Sequence, residues 1–432
     1  MGNCYKTQKS EPSDRVFSKN VCIEIRNSSH SEKIKFTATK AEKLNTLLFS
    51  TTNLDLKISY CVLPGLDPRG QIKKSCQDQV LVSEKPDSLL AGVFDGHGKH
   101  GREVVDFCAN FMQNFFNSHD FDESPQEYMV SMIEECDRVL LTESKINCST
   151  SGTTAVIVLI NSLGIWASSV GDSRAVLGCL PKHPKMVEMR NHEASKYKRP
   201  IIPSRVLKAV QISLDQKPNI SYELERIIKA GGVVSQITSS LGQKIGPYRI
   251  WKPESQIPGL AMSRSLGDTI AKKIGVISKP VFYSIKFCTQ RDLFIVMGTD
   301  GIWDVLENIE VCEFVDKYKS VCVSTPTKDK EKVSENNSCI AEFLCEEARH
   351  RWLEICSEED VAIDDISGIV IELKPKKGFF TEMSRRKGVT TENILEIAQE
   401  SQVDIKITER FDIRRGSNAV IEEEENEDEN EE

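Results

Sequence analysis

The sequence has no long apolar run. Glycine aside, its longest uninterrupted stretch is Ala155–Ile160, far short of the roughly 20 residues that a membrane-spanning helix needs. The start, Met1-Gly2-Asn3-Cys4-Tyr5-Lys6, has no apolar core of the kind a secretory signal carries. There is no Cys-x-x-Cys among the 14 cysteines, and those at 61, 108, 312 and 345 sit in apolar surroundings. The expectation is buried free thiols in a reducing compartment, not a disulfide framework or a zinc site. Nor is there a basic excess. The chain carries 56 basic and 65 acidic residues, and nine of the acidic ones fall between Glu422 and Glu432, where no basic residue occurs. The remainder is neutral, so composition excludes a general nucleic-acid binder, and the net charge of −9 reports the tail. No fixed-period repeat is visible.

What is present suits a soluble globular protein with a sizeable core: 432 residues, 39% hydrophobic and 28% charged. Residues 1–53 are polar and irregular. Met1-Gly2-Asn3-Cys4 resembles a myristoylation signal with Cys4 placed for a second acyl chain, although Lys6 stands where Ser or Thr is usual. The competing reading is a plain solvated leader. A folded domain is expected over 54–375, with a flap or insertion region at 181–259 and a surface insertion at 323–338. Beyond it, 376–432 form an extension that closes in a solvated acidic tail.

Within the domain, strands are expected at 56–63, 79–82, 89–94, 153–160, 165–170, 174–178, 280–287, 292–298 and 368–373. Apolar residues at helical spacing mark helices at 102–117, 127–143, 222–230, 308–318 and 340–355, and 235–259 reads as a long loop. Short strands joined by tight turns argue for antiparallel sheet, not for alternating βαβ units.

The chemistry centres on Asp95-Gly96-His97-Gly98-Lys99, directly after the apolar strand at 89–94. A strand end holds a carboxylate rigidly. Gly96 lets its carbonyl approach whatever Asp95 binds, and His97 is suited to proton transfer near neutral pH. Three more acidic sites echo the first: Asp172 in a turn between strands, Asp300 with Asp304 after the strand at 292–298, and Asp364-Asp365 before the last strand. Each alone reads as a turn residue. Converging on one sheet edge, they would repel unless protonated or bound to cations. A site built only from oxygen donors points to Mg2+ or Mn2+.

The ordered series Gln77-Asp78, Asp95-Gly96-His97-Gly98, Ser151-Gly152-Thr153-Thr154-Ala155, Gly171-Asp172-Ser173-Arg174, Leu260 to Asp268, Asp300-Gly301-Ile302-Trp303-Asp304 and Asp364-Asp365 resembles the metal-dependent protein phosphatase 2C family over about residues 55–374. The resemblance implies an α+β fold: a β-sandwich of two antiparallel sheets flanked by helix pairs, with a two-metal site at one end. It also implies hydrolysis of phosphoserine and phosphothreonine by a water or hydroxide bridging two Mg2+ or Mn2+ ions.

By the same resemblance, Asp95 bridges both ions, the Gly96 carbonyl binds the second, and Asp300 and Asp364 bind the first. Asp78 orients the attacking water, Asp172 and Asp304 hold a weaker third ion, and His97 is the general acid. Lys73, Lys74 and Arg264 are the cations expected to meet phosphate. Gln77 departs from the Glu common in the first motif, and Lys73 and Lys74 stand where Arg is frequent. Tyr248 to Pro253 resemble a flap beside the site. The partners expected are phosphorylated proteins, with a membrane surface if Gly2 and Cys4 are acylated, and the protein is expected to be a cytoplasmic monomer. A catalytically inactive binding protein would have lost the metal carboxylates. A phosphatase that proceeds through an aspartyl-phosphate would need a second Asp where His97 stands.

Overall fold

The computed structural model describes residues 24–25, 34–35, 43–67, 71–73, 75–120, 124–181, 207–239, 242–285, 291–323, 339–355 and 362–376. The architecture is α+β, two antiparallel sheets stacked face to face. In one sheet the strands run in the order Lys208–Gln211, Arg174–Cys179, Asp292–Gly298, Ile366–Pro375, Leu54–Leu63, Lys43–Ser50. In the other, Ser88–His97 is central, flanked by Asp78–Lys85 and Ala155–Asn161, and the sheet continues through Ile165–Val170 to Val281–Ile285. Gly152–Thr153 and Leu266–Gly267 extend it at the His97 end.

Side-chain alternation explains why these strands read as unbroken apolar runs. Along Ser88–His97, Leu89, Ala91 and Val93 enter the core between the sheets, while Leu90 and Phe94 pack outward under Gly101–Ser118 and Pro125–Thr142. Along Asp292–Gly298, Ile295 and Met297 face inward, while Phe294 and Val296 pack outward against Asn308–Val323 and Ile340–Ile355. Both faces of each sheet are therefore covered, which removes the polar alternation of a half-exposed strand. The second helix starts where its sequence dictates, with Pro125 in the first turn and Ser124 Oγ accepting the Glu127 amide. Cys61, Cys108, Cys136, Cys148, Cys312, Cys339 and Cys345 are buried free thiols. No helix among the described residues is long and apolar enough to cross a membrane.

Three expectations require correction. The folded domain begins before residue 54: Lys43–Ser50 pairs antiparallel with Leu54–Leu63, placing Leu47 and Phe49 against the inter-sheet core and leaving Leu48 exposed. Residues 208–211, inside the expected flap or insertion region at 181–259 and given no strand there, form an edge strand on Arg174–Cys179. The loop expected at 235–259 is a small sheet of Val233–Thr238, Lys244–Trp251 and Pro258–Leu260. All three are edges or outlying hairpins. They carry no dense apolar run: Lys208–Gln211 sets only Ala209 and Val210 against the two cores, and Ile237, Ile245 and Tyr248 remain exposed. Gly2, Cys4, Lys74, residues 324–338 of the insertion expected at 323–338, and the acidic tail lie outside the described residues.

Candidate active site

The sandwich ends in carboxylates. Asp95 continues the inward-facing series Leu89, Ala91, Val93 past the last core layer, and its cross-strand partner is Asp78. From the opposite sheet, Thr299 continues Ile295 and Met297, and its hydroxyl donates to Asp78 Oδ2 at 2.9 Å. That contact stitches the two sheets together at the site. Asp300 opens the short helix Asp300–Trp303, with Asp304 at its end. Asp95 is held at the backbone. Its amide donates to Thr154 Oγ1 at 3.0 Å, and its carbonyl accepts from the Thr154 amide and the Thr153 hydroxyl.

The two adjacent acids at 364 and 365 divide their work. Asp365 is buried and accepts from the Gly65 and Gln77 amides at 2.5 and 2.8 Å, which fixes the loops around it. Asp364 is exposed toward the site, and Lys73 Nζ donates to its Oδ1 at 2.8 Å. Gln77 bonds the Gly98 carbonyl through its side chain. Gly96 is tightly enclosed: a Cβ there would lie 2.7 Å from the Gln77 carbonyl oxygen and 2.8 Å from that of Gly101.

Electrostatics mark the cluster. Burial, then the charges of Asp300, Asp78, Asp364 and Asp172, push the Asp95 carboxyl well above the usual carboxylate range. Burial and then Asp172, Asp364 and Asp304 do the same to Asp300, and burial and then Asp365 to Asp78. Asp304 is raised chiefly by burial, with Lys217 opposing. Lys217 Nζ lies 2.5 Å from Asp172 Oδ2, and this pairing outweighs burial to raise the lysine. Among the described residues, Asp172 Oδ1 and Asp300 Oδ1 are buried without a hydrogen-bond partner.

Do these residues fit a divalent cation? As they stand, no three His, Cys, Asp or Glu side chains among the described residues form a group that could hold an ion, and lysines sit on Asp364 and Asp172. The donor chemistry nevertheless fits. The cluster consists of mutually repelling carboxylates with buried, unpaired oxygens, and a hard cation relieves both conditions.

His97 closes the strand. Its Nε2 lies 2.7 Å from Asp268 Oδ2, and among the described residues its Nδ1 is buried with no partner. The pull of Asp268 outweighs burial and raises the imidazole above its ordinary range.

Arg264, expected to meet phosphate, has its guanidinium committed to other partners. It is buried, donates twice to Glu223 Oε1 at 2.8 and 2.6 Å, and donates once to the Lys279 carbonyl. A buried acid 41 positions upstream has claimed it, and nothing in the local sequence signals that pairing. Arg264→Ala should therefore cost about 1–3 kcal/mol of stability, because Glu223 loses one of its two arginines and keeps Arg226. Urea denaturation would show this as a lower midpoint at constant slope. A phosphate contact would instead raise KM for a phosphopeptide and leave the midpoint in place. Sequence reasoning also missed Lys217, Thr299 and the role of Asp268. Only Asp268 lies in a motif that could have drawn attention to it.

The chain is similar to known proteins over this whole region. The family model described as "Protein phosphatase 2C" matches residues 69–349. "Probable protein phosphatase 2C 73" of Arabidopsis thaliana is 30% identical over 363 residues, 78% of this chain and 85% of the relative. "Probable protein phosphatase 2C 34" of the same plant is 29% identical, covering 77% of this chain and 87% of the relative. Among solved structures, the serine-threonine phosphatase 2C from Toxoplasma gondii superimposes with a TM-score of 0.55 at 16% identity. It covers 77% of this chain and 99% of that one. That likeness concerns the fold.

Proposed function

We infer what each residue does from one premise: the chain belongs to the protein phosphatase 2C family and is a metal-dependent protein serine/threonine phosphatase, a hydrolase. The family works with Mg2+ or Mn2+ and acts on phosphoproteins. The observation that carries the site assignment is the buried carboxylate cluster, in which burial and then Asp300, Asp78, Asp364 and Asp172 raise the proton affinity of Asp95, and burial and then Asp172, Asp364 and Asp304 raise that of Asp300. Asp95 would bridge two ions, with the Gly96 carbonyl on the second and Asp300 and Asp364 on the first. Asp172 and Asp304 would serve a weaker third. When bound, such ions supply a nucleophilic water at neutral pH and offset the phosphoryl charge.

The remaining steps belong to the chain itself. Asp78, fixed by Thr299, accepts a hydrogen bond from the attacking water and aims it at phosphorus. Lys73 moves from Asp364 to the phosphoryl oxygens, where it acts as a point charge and not as a bidentate fork. His97 gives its proton to the departing Ser or Thr oxygen, which otherwise leaves as a costly alkoxide. No side-chain nucleophile takes part. The test is phosphate release from a phosphothreonine peptide: turnover with Mn2+, none in EDTA, and recovery when Mn2+ is restored. An inactive binding protein gives no turnover under any of these conditions.

The same reading extends to location. Gly2 carries myristate and Cys4 palmitate, and with Lys6, Lys9, Arg15 and Lys19 they hold the enzyme at the cytosolic face of a membrane. One acyl chain binds only marginally, so the second is required, and each basic residue adds about 1 kcal/mol at an anionic surface. In eukaryotic cells, Gly2→Ala should shift the protein from the membrane pellet to the cytosol, and Cys4→Ser should shift part of it. A wild-type protein with no acyl mass that is already in the cytosol overturns this proposal.

A further inference from the structure

His97 and Asp268 are 171 positions apart in sequence, yet their side chains meet at 2.7 Å. The surroundings of Asp268 are arranged to keep it there. Its backbone adopts a left-handed conformation, φ 51° and ψ 53°, rarely taken by a residue with a side chain. Its amide donates to the Ser151 carbonyl at 3.0 Å, and the next two amides donate to Cys148 and Ser149. The preceding amide, of Gly267, donates to Asp137, whose carboxylate is held by Lys272 Nζ at 2.6 Å. Gly152, cross-strand partner of both His97 and Gly267, lies against the contact, and a Cβ there would be 2.1 Å from Asp268 Oδ2. Ser265 Oγ donates to that same oxygen at 2.6 Å, so Oδ2 acts as an acceptor. An acceptor facing Nε2 requires the hydrogen to sit on Nε2. The other nitrogen, Nδ1, is buried without a partner among the described residues.

We propose that Asp268 is a positioning residue: it locks the His97 ring with Nε2–H held by its carboxylate, so that Nδ1, the nitrogen left without a partner, is the atom that serves the leaving oxygen. The assignment rests on the phosphatase reading above. In the step it serves, the hydrogen on Nδ1 passes to the Ser or Thr oxygen as the P–O bond breaks. The electron pair of that bond stays on the oxygen, and a neutral ring remains with its hydrogen on Nε2, still bonded to Asp268. Asp268 gives up no proton and touches neither substrate nor phosphate.

The experiment compares wild type, Asp268→Ala, Asp268→Asn, His97→Gln and the His97→Gln/Asp268→Ala double variant on two substrates, a phosphothreonine peptide and p-nitrophenyl phosphate. The aryl leaving group needs no proton. Asp268→Ala should lower kcat on the peptide by about 10–100-fold, as removing the partner of a working His does, with little change on the aryl ester. The double variant should be no slower than His97→Gln alone. Asp268→Asn keeps the side-chain volume, so if the alanine variant fails to fold, its leaving-group-selective loss supports the same assignment.

Independently of turnover, 15N-labelled histidine in metal-free protein should place the neutral-ring hydrogen of His97 on Nε2. The signal is identified among the seven histidines by its loss in His97→Gln. Equal losses on both substrates, multiplying losses in the double variant, or a ring hydrogen on Nδ1 overturns the assignment to Asp268 and leaves the enzyme reading standing. A wild type that turns over neither substrate fails that reading, and this one falls with it.

Discussion

Asp95→Asn is expected to bring phosphoester turnover to background at any Mn2+ concentration while the fold survives, and Asp300→Asn is expected to do the same. The substitution keeps the shape of the side chain and removes the charge that offsets the cations. Calorimetric titration should therefore show weaker Mn2+ binding as well. Wild-type kcat in either variant at saturating Mn2+ contradicts the site.

A second consequence concerns stability. Burial and neighbouring acids raise the folded-state pKa of Asp95 above that of the unfolded chain. The folded state then holds a proton that the unfolded state releases, so this group's contribution is favourable at low pH and is lost as pH rises from about 4, the ordinary Asp value. Asparagine carries no such penalty. In EDTA, Asp95→Asn should melt above wild type, and the gap should widen from pH 4 toward pH 7. Saturating Mn2+ should narrow or reverse it. A gap that shrinks with rising pH in EDTA refutes the electrostatic account.

His97→Gln is expected to lower kcat on a phosphothreonine peptide by about 10²–10⁴-fold, the usual contribution of a general acid. The loss on p-nitrophenyl phosphate should be much smaller, because nitrophenolate departs without help. Glutamine can still reach toward Asp268, so the local structure has a substitute partner and the comparison isolates proton transfer. Equal losses on the two substrates would make His97 a structural residue.

The parts of the fold that were legible in the sequence share one physical property: they are covered on both faces. Ser88–His97, Ala155–Asn161 and Asp292–Gly298 lie between the inter-sheet core and a helix layer, so they appear as dense apolar runs that end abruptly in Asp, Asn or Gly. The edge strand Lys43–Ser50 and the outlying hairpin of Val233–Thr238 and Lys244–Trp251 are not covered in this way, and their composition is that of a loop. The site divides along the same line. Asp95, Asp172, Asp300 and Asp364 stand at strand ends beside turns, where local pattern points to them. Which cation meets which carboxylate is settled only by packing. Lys73 reaches Asp364 across 291 positions and Lys217 reaches Asp172 across 45, while Arg264 is held by buried Glu223. Of the two adjacent acids before the last strand, the resemblance picks out Asp364, while local pattern alone does not separate the two; in the structure Asp365 is occupied by two backbone amides and Asp364 is paired with Lys73.

The most direct test of the central claim is an anomalous-scattering map from crystals of the protein grown with Mn2+. The account predicts manganese peaks against Asp95, shared with Asp300 and Asp364, with Lys73 Nζ displaced from Asp364. Crystals that bind manganese only elsewhere, with Lys73 still on Asp364 and Lys217 still on Asp172, would contradict it.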